Sequence, residues 1–339
     1  MTPSSPAARA AERPVRWGEL ADRILAGGTL TRSEALAVAE APDEELLALL
    51  DAAFRVRRHH HGRRVRVHVL QNARSGTCPE NCSFCSQSTH FDSDVPRYKM
   101  QSVEELVEAA ERAVAMGAVT YCMVTSTRGP SSRELDTVCE ATRQIKERLP
   151  VRVCTSLGIL ETGHAETLAA AGVDRYNHNL ESSERFFPRV CTTHSFEDRR
   201  RTIREAKRAG MEACCGGILG MGETREDWVD LAFALRELAV DSVPVNFLDP
   251  RPGTPLEAVE RLRPQDCLKG LALFRLSNPA ADVRVAGGRE VNLGVLQPLA
   301  LYAANSIFTN GYLTTPGAEP SADARMIREA GFEAEVVGG

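Results

Sequence analysis

The chain has 339 residues, 43% of them hydrophobic and 26% charged, so it can bury a large core within a single domain. Its formal net charge of −5 provides no basic field for nucleic acid or anionic lipid. No apolar run is long enough to span a membrane. The expected partners are therefore small molecules or a second copy of the chain.

Cysteine usage indicates the compartment. The chain has 10 cysteines, and no apolar segment at its N-terminus resembles a signal peptide. Thiols in this number are typical of a reducing environment, where they bind metals or do redox chemistry. We expect the protein to be cytoplasmic.

Four segments follow one another in the predicted organisation. Residues 1–16, rich in Pro, Ala and Arg, are expected to be a disordered extension. A helical cover is predicted over 17–63, where Thr31 and Glu34 have the spacing of a capping box. A barrel domain is expected over 64–318, with a C-terminal helix and tail over 319–339.

The barrel prediction comes from the alternation of short β-branched runs with helical ones. The predicted strands are Arg64–Gln71, Val119–Thr125, Val151–Leu157, Arg175–Leu180, Glu212–Ile218, Ser242–Leu248, Val283–Ala286 and Ser306–Phe308. Eight such units favour an α/β fold of the TIM type, a (β/α)8 barrel with an N-terminal helical cover.

The first predicted strand is followed directly by a loop with three cysteines at CxxxCxxC spacing, Cys78, Cys82 and Cys85. In a TIM-type barrel this loop lies at the C-terminal ends of the strands, where active sites are built. A structural zinc site and an all-cysteine iron–sulfur cubane both need four protein ligands, so three thiolates would leave one metal position open. The alternative is a zinc knuckle completed by His90.

Strand residues alternate between the inside and the outside of a barrel, so parity predicts which side chains face the lumen. The inward set contains cysteine, asparagine, arginine and glutamate instead of branched apolar residues. It comprises Cys122, Arg152, Cys154, Asn177, Asn179, Glu212, Cys214, Asn246 and Arg284. The lumen is therefore predicted to be a binding chamber, with a second metal–sulfur site formed by its three cysteines.

Other candidates are given a structural role. A single buried cysteine usually packs as a small hydrophobe, and this is the expectation for Cys139, Cys191, Cys215 and Cys267. The parity of His178 points it outward, toward the helices. If Arg284 is simply part of an ion pair, Glu212 is its expected partner.

The sequence resembles the biotin synthases, a family of the radical S-adenosylmethionine (SAM) superfamily. The CxxxCxxC loop CPENCSFC marks the superfamily, and a narrower set of motifs marks the family. These are TYCMV, VCTSLGIL, DRYNHNLESS, ACCGGILGMGE, PVNFLDPRPGTPL, VRVAGGRE, ANSIF and YLTTPG. The resemblance extends from about Trp17 to Val337.

The resemblance implies two clusters. Cys78, Cys82 and Cys85 would hold a 4Fe-4S cluster whose fourth iron binds SAM, and an electron from this cluster would cleave SAM to methionine and a 5′-deoxyadenosyl radical. A 2Fe-2S cluster on Cys122, Cys154, Cys214 and Arg284 would supply the sulfur that is inserted into dethiobiotin. The implied catalysis is done by cofactors, with no catalytic side chain, and it requires a low-potential donor of the flavodoxin or ferredoxin type.

Further positions carry over from the family motifs. Asn179, Glu181 and Arg199 match residues that contact SAM, and the glycine-rich strand end at Gly216, Gly217 and Ile218 would let the cofactor approach the backbone. Asn177 and Asn246 would face the ureido ring of dethiobiotin, and Thr314 its carboxylate. Glu181 stands where well-known members have aspartate.

Two other functions remain open from the residues alone. A radical enzyme that matures hydrogenase or rearranges an amino acid would keep the first cysteine triplet without needing the second set. A zinc-dependent interaction protein would bind zinc at the triplet. A homodimer is the expected assembly.

Overall fold

The computed structural model describes residues 15–314 and 317–335. The extension predicted over 1–16 lies almost wholly outside the described residues. So do Thr315 and Pro316 of the YLTTPG motif, and the end of the C-terminal tail.

Eight parallel strands close into a barrel, because the last of them pairs with the first. This confirms the predicted TIM-type (β/α)8 fold. The strands of the described chain are β1 (Arg64–Arg74), β2 (Thr120–Thr125), β3 (Arg152–Ser156), β4 (Arg175–Asn177), β5 (Glu212–Cys214), β6 (Gly217–Leu219), β7 (Ser242–Phe247), β8 (Asp282–Val285), β9 (Ser306–Phe308) and β10 (Glu333–Ala334). The barrel consists of β1–β5 and β7–β9, while β6 pairs with β7 and β10 pairs with β1.

Helices precede the barrel, surround it and follow it. They are α1 (Trp17–Leu25), α2 (Arg32–Ala39), α3 (Leu46–His61), α4 (Val103–Ala115), α5 (Ser132–Arg148), α6 (His164–Ala170), α7 (Phe187–Val190), α8 (Phe196–Arg208), α9 (Arg225–Glu237), α10 (Pro264–Ser277), α11 (Arg289–Leu293), α12 (Gln297–Ala300) and α13 (Pro320–Glu329). No helix among the described residues is both long and apolar enough to cross a bilayer.

The N-terminal helices α1–α3 pack against the barrel's outer helices, chiefly α3 on α10 and α2 on α9 and α10. Buried Arg57 joins α3 to the barrel by donating to the carbonyl oxygens of Arg64 and Ala304, at 2.7 and 3.4 Å. Thr31 and Glu34 form the predicted capping box of α2, which satisfies backbone N–H groups that a helix start leaves unpaired.

The apolar core lies between the strands and the surrounding helices, not inside the barrel. Val153, Val243 and Val283, of β3, β7 and β8, are fully buried in it. Side chains of opposite parity on the same strands point into the lumen. The barrel interior therefore remains available for polar and sulfur-bearing residues.

The predicted strand over 212–218 is interrupted in the structure. β5 ends at Cys214, and β6 begins at Gly217 and pairs with β7 at Val245. At the bend, the carbonyl oxygen of Gly216 accepts hydrogen bonds from the N–H groups of Leu180 and Glu181, at 2.9 and 3.2 Å. The bend thereby connects the strand end to the segment that follows β4.

Candidate functional site

A chamber opens at the C-terminal ends of the barrel strands. Most residues predicted for the site line it, namely Cys78, Cys82, Cys85, Cys122, Cys154, Asn177, Asn179, Glu181, Arg199, Cys214, Ile218, Asn246, Arg284 and Thr314. Six thiols therefore face one space from two levels, a loop at the mouth and strands within.

The cysteine loop at the mouth is fixed by backbone hydrogen bonds. The N–H of Cys78 donates to the Gln87 carbonyl oxygen at 3.1 Å, and the N–H of Thr89 donates to the Cys78 carbonyl oxygen at 2.8 Å. The side-chain oxygen of Gln87 accepts from Asn72 Nδ2 and Ser75 Oγ, at 3.2 and 3.1 Å. These contacts hold the loop against the end of β1.

Burial is the main influence on the pKa of two of the loop's thiols, Cys78 and Cys85. It raises the pKa of the Cys85 thiol to about 12, and it raises the pKa of Cys78 against an opposing hydrogen bond from the Glu80 backbone. Such thiols are poor nucleophiles at neutral pH, because the thiolate is the reactive form. Metal binding removes their protons, so the loop suits a metal better than covalent catalysis.

His90 does not complete a zinc site in this structure. Its side chain is exposed, and Nε2 lies 2.9 Å from the carbonyl oxygen of Pro79. That nitrogen therefore carries a proton and donates to the carbonyl. The zinc-knuckle alternative loses its expected fourth ligand.

The second sulfur group lies deeper in the lumen, as parity predicts. Cys122 and Cys154 are register partners on neighbouring β2 and β3. Arg284 Nη1 lies 3.7 Å from the sulfur of Cys214. Cys215, the residue after β5, packs in the apolar core.

Arg284 is held from below by polar side chains at the floor of the chamber. Its Nη2 donates to Ser242 Oγ at 3.1 Å and to Asp282 Oδ2 at 3.3 Å. The expected pair with Glu212 is wrong, because Glu212 binds Arg152 and Arg175 instead, each at 2.7 Å. Asp282 has the same parity as Arg284 and is therefore the carboxylate on the same face.

The Nε atom of Arg284 is buried and has no hydrogen-bond partner in the described structure. An unpaired buried polar atom is costly. Here it belongs to a side chain that lines the chamber together with three thiols. A metal–sulfur group placed among these residues fits both observations.

One wall of the chamber is formed by Asn179, Glu181 and Arg199. Arg199 Nη1 donates to the Asn179 carbonyl oxygen at 2.8 Å and to Glu181 Oε1 at 3.3 Å. Burial raises the pKa of the Glu181 carboxyl, and the charge of Arg199 opposes this. Glu181 also has a φ of 69°, which is uncommon outside glycine and is often found at binding sites.

Gly216 and Gly217 lie behind this wall and do not line the chamber. A Cβ atom on Gly217 would come within 2.6 Å of the Glu181 carbonyl oxygen, and one on Gly216 within 1.9 Å of the Pro244 carbonyl oxygen. Both glycines thus permit a close approach between backbone segments. Their place in the structure is to position Glu181 and β7, while Ile218 reaches the chamber.

The three predicted substrate-binding side chains reach the chamber from different elements. Asn246 is fixed on both sides, since its Nδ2 donates to the Gly217 carbonyl oxygen at 3.1 Å and its Oδ1 accepts from the Gly287 N–H at 2.9 Å. Asn177 Nδ2 donates to Ser156 Oγ at 3.3 Å. The hydroxyls of Thr314 and Ser86 are 3.0 Å apart.

His178 is among the residues around the chamber, and its buried Nε2 has no hydrogen-bond partner in the described structure. β4 ends at Asn177, so strand alternation no longer applies one residue later. Burial lowers the pKa of His178 well below its usual value, which keeps the ring neutral.

A group of polar residues beneath the cysteine loop was not predicted. Glu80 accepts hydrogen bonds from Arg128 Nη1, at 2.7 Å, and from Thr193 and His194. His194 Nε2 in turn accepts from Arg199 Nε at 2.9 Å. The only sequence signal was the position of Glu80 inside the cysteine motif.

Two protein-family models match consecutive ranges of the chain. The radical SAM superfamily model matches residues 73–235, and the model of the biotin and thiamin synthesis associated domain matches residues 244–333. The two matched ranges together include the cysteine loop, the three inner cysteines and Arg284.

Curated relatives match over nearly the full length. The chain is 65% identical over 321 residues to the biotin synthase of Salinibacter ruber, which covers 95% of this chain and 89% of the relative. It is 49% identical over 322 residues to the biotin synthase of Bacillus subtilis, covering 95% of this chain and 96% of the relative.

Solved structures agree on the fold. Methylornithine synthase (PylB) superposes with a TM-score of 0.82 at 21% identity, covering 93% of this chain and 97% of that one. The hydrogenase maturase HydG gives a TM-score of 0.80 at 15% identity, covering 94% and 75%. At these identities the likeness concerns the barrel architecture alone.

Proposed function

The chain belongs to the biotin synthase family of radical SAM enzymes, and from this premise we propose which of its side chains hold each reactant. It is a sulfurtransferase that inserts sulfur into dethiobiotin to form biotin. The bound groups supply the chemistry, which is reductive cleavage of SAM to a hydrogen-abstracting radical and donation of sulfide from an auxiliary iron–sulfur cluster.

At the mouth, Cys78, Cys82 and Cys85 are the proposed ligands of the 4Fe-4S cluster. Three thiolates on one fixed loop leave one iron without a protein ligand. The amino and carboxylate groups of SAM would bind there. No other cysteine lines the mouth among the described residues.

Asn179, Glu181 and Arg199 are proposed to bind SAM. Arg199 is a buried cation beside the loop, which suits the carboxylate of the methionine part. Glu181 and Asn179 offer oxygen acceptors for ribose hydroxyls. The positive φ of Glu181, four residues after the end of β4, turns this side chain toward the chamber, and Gly216 and Gly217 allow the close backbone packing that supports the turn.

Deeper in the lumen, Cys122, Cys154, Cys214 and Arg284 are the proposed ligands of the auxiliary 2Fe-2S cluster. An arginine ligand is unusual, because a guanidinium is normally a donor with no lone pair to offer. In this chain Arg284 is oriented by Asp282 and Ser242, while its Nε remains unpaired.

Dethiobiotin is proposed to lie between the two clusters. Asn177 and Asn246 would bind its ureido ring, since an amide side chain offers both a donor and an acceptor to a group of the same kind. Asn246 is already held by two backbone groups, so little side-chain freedom remains to be lost on binding. Thr314 would contact the carboxylate. The surrounding barrel keeps water from the radical.

The observation that carries the assignment is the arrangement of six thiols in two groups around one chamber. It is tested by anaerobic reconstitution with iron and sulfide, followed by Mössbauer spectroscopy and a dethiobiotin-dependent assay for biotin. Two clusters per chain and biotin formation are expected. One cluster without biotin would indicate another radical SAM reaction, and no cluster would indicate a zinc-binding module.

Three further properties are proposed on chemical grounds. The reductant is a low-potential flavodoxin or ferredoxin, testable by replacing it with dithionite in the assay. None of the 10 cysteines, all of them among the described residues, is in a disulfide, which is consistent with a cytoplasmic location. The proposed homodimer is checked by light scattering of the reconstituted protein.

A further inference from the structure

His194 is buried between Glu80 and Arg199, beside the cysteine loop. Each of its two ring nitrogens has a partner. Nε2 accepts a hydrogen bond from Arg199 Nε at 2.9 Å, and Nδ1 contacts a carboxylate oxygen of Glu80. Because an arginine Nε can only donate, Nε2 is the acceptor and the ring hydrogen lies on Nδ1, directed at Glu80.

The other partners of Arg199 show what the contact with His194 does. Arg199 Nη1 donates to the Asn179 carbonyl oxygen at 2.8 Å and to Glu181 Oε1 at 3.3 Å. Its Nη2 lies 3.7 Å from the sulfur of Cys82. A guanidinium is a rigid planar fork, so a hydrogen bond on Nε fixes the direction of both Nη atoms. His194 therefore fixes the edge of the guanidinium that Asn179 and Glu181 do not contact.

His194 is itself held in one orientation. Glu80 accepts from its Nδ1 and also from Arg128 Nη1, the latter at 2.7 Å. The rings of His194 and Phe187 have their centroids 5.7 Å apart, and the guanidinium carbon of Arg199 lies 5.5 Å from the Phe187 centroid. A histidine whose Nδ1–H is bound to a carboxylate presents Nε2 in a fixed direction. Glu80, His194 and Arg199 thus form one chain of hydrogen bonds that ends at the wall of the chamber.

We propose that His194 is a positioning residue for SAM, because it holds the guanidinium of Arg199 ready to bind the carboxylate of the methionine part, while Glu80 holds His194. The inference rests on the proposed function, in which Arg199 binds SAM. A side chain that is fixed before binding loses less conformational freedom when the ligand arrives. His194 thus contributes to the affinity for SAM through Arg199 and takes no part in the chemistry.

The cysteine loop is attached to the segment before α8 by contacts that do not involve His194. The Ser83 N–H donates to the Val190 carbonyl oxygen at 2.8 Å, and Asn81 Nδ2 donates to Thr192 Oγ1 at 2.7 Å. A substitution at His194 leaves these contacts in place. The affinity for SAM and the retention of the cluster can therefore be measured separately.

The experiment uses two amide side chains, each of which can replace one ring nitrogen of His194. In His194→Asn the shorter amide can still donate to Glu80 but does not reach Arg199, whereas in His194→Gln the longer amide can accept from Arg199 Nε. Equilibrium dialysis of the reconstituted protein gives the Kd for SAM, and iron analysis gives the cluster content. We expect His194→Asn to keep its iron and to raise the Kd about tenfold, the scale of ordering one long side chain on binding. His194→Gln should bind SAM nearly as tightly as the wild type.

A double variant and a remote control complete the design. If His194 acts through Arg199, the variant His194→Asn/Arg199→Ala binds SAM no more weakly than Arg199→Ala alone. The matched control is His164→Asn at the start of α6, where a half-buried histidine accepts from the Glu161 N–H at 3.3 Å and does not line the chamber. Its Kd for SAM should equal that of the wild type.

The outcomes separate this inference from the proposed function. Unchanged SAM affinity in Arg199→Ala would contradict the proposed function at this residue. Weaker binding by Arg199→Ala together with a wild-type Kd in His194→Asn would overturn only the role of His194. Equal weakening by both amides, additive losses in the double variant, or loss of iron from His194→Asn would overturn it as well, because each result would give His194 a role apart from Arg199.

Discussion

Gly216 is a position where adding a single methyl group has a large predicted effect. In Gly216→Ala the new Cβ would lie 1.9 Å from the carbonyl oxygen of Pro244 and 2.8 Å from its carbonyl carbon. Ordinary van der Waals contact begins at 3.4 Å. Strand β7 must therefore retreat by about 1.5 Å, because a backbone carbonyl within a sheet has no rotamer by which to yield.

The displacement would reach the chamber through Asn246, two residues beyond Pro244 on β7. Overpacking of this kind typically costs about 1–3 kcal/mol of stability. A misplacement of about 1 Å in a positioning side chain can cost about 100-fold in rate. We expect Gly216→Ala to lose about 1–3 kcal/mol in the free energy of unfolding and to lower kcat/KM for dethiobiotin about 100-fold.

Urea unfolding, iron content and the biotin assay measure these effects separately. The matched control is Gly18→Ala in α1, where the new Cβ would meet only Arg55 Nη1, at 3.6 Å. That variant should be as stable as the wild type or slightly more so, because alanine is the better helix former. Wild-type unfolding and wild-type biotin formation by Gly216→Ala would refute the reasoning.

Three further predictions test the ligands and one buried carboxylate. Cys82→Ala should abolish SAM cleavage, measured as 5′-deoxyadenosine by chromatography, because it removes one of only three thiolates at the mouth; normal production would contradict its role. Cys154→Ala should lose the auxiliary cluster signal and biotin formation while retaining some SAM cleavage, and a normal biotin yield would mean that sulfur comes from elsewhere. Burial would raise the pKa of Asp227, but its hydrogen bonds, led by that from Ser183, lower it. The stabilisation that ionised Asp227 gives the folded protein is therefore present above the unfolded pKa of about 3.9 and is lost as the pH falls. The difference in urea stability between wild type and Asp227→Asn should shrink from pH 7 to pH 3. A difference that stays constant would argue against this role of Asp227.

Strand parity predicted the lumen well, because alternation in a pleated strand is a geometric necessity. It placed Cys154, Cys214 and Arg284 inward on three separate strands, and all three line the chamber. The rule does not extend to His178, since β4 ends at Asn177, short of the predicted end of this strand at Leu180. Knowing where a three-residue strand stops requires its neighbours, which a single sequence does not show.

Contacts between distant segments were the least predictable part of the site. Cys191 was expected to pack as a small hydrophobe, and its position beside Cys82 depends on two segments that are far apart in sequence. The partner of Arg284 was predictable in principle, because Asp282 shares its parity on the same strand.

Closure of the barrel between β9 and β1 fixes the order in which the protein can mature. Synthesis delivers the cysteine triplet soon after β1, whereas Arg284 and then β9 emerge near the end of the chain. Until β9 reaches β1, the sheet has two free edges and the inner cysteines have no enclosed lumen. The inner cysteines therefore reach their enclosed position only after β9 has paired with β1.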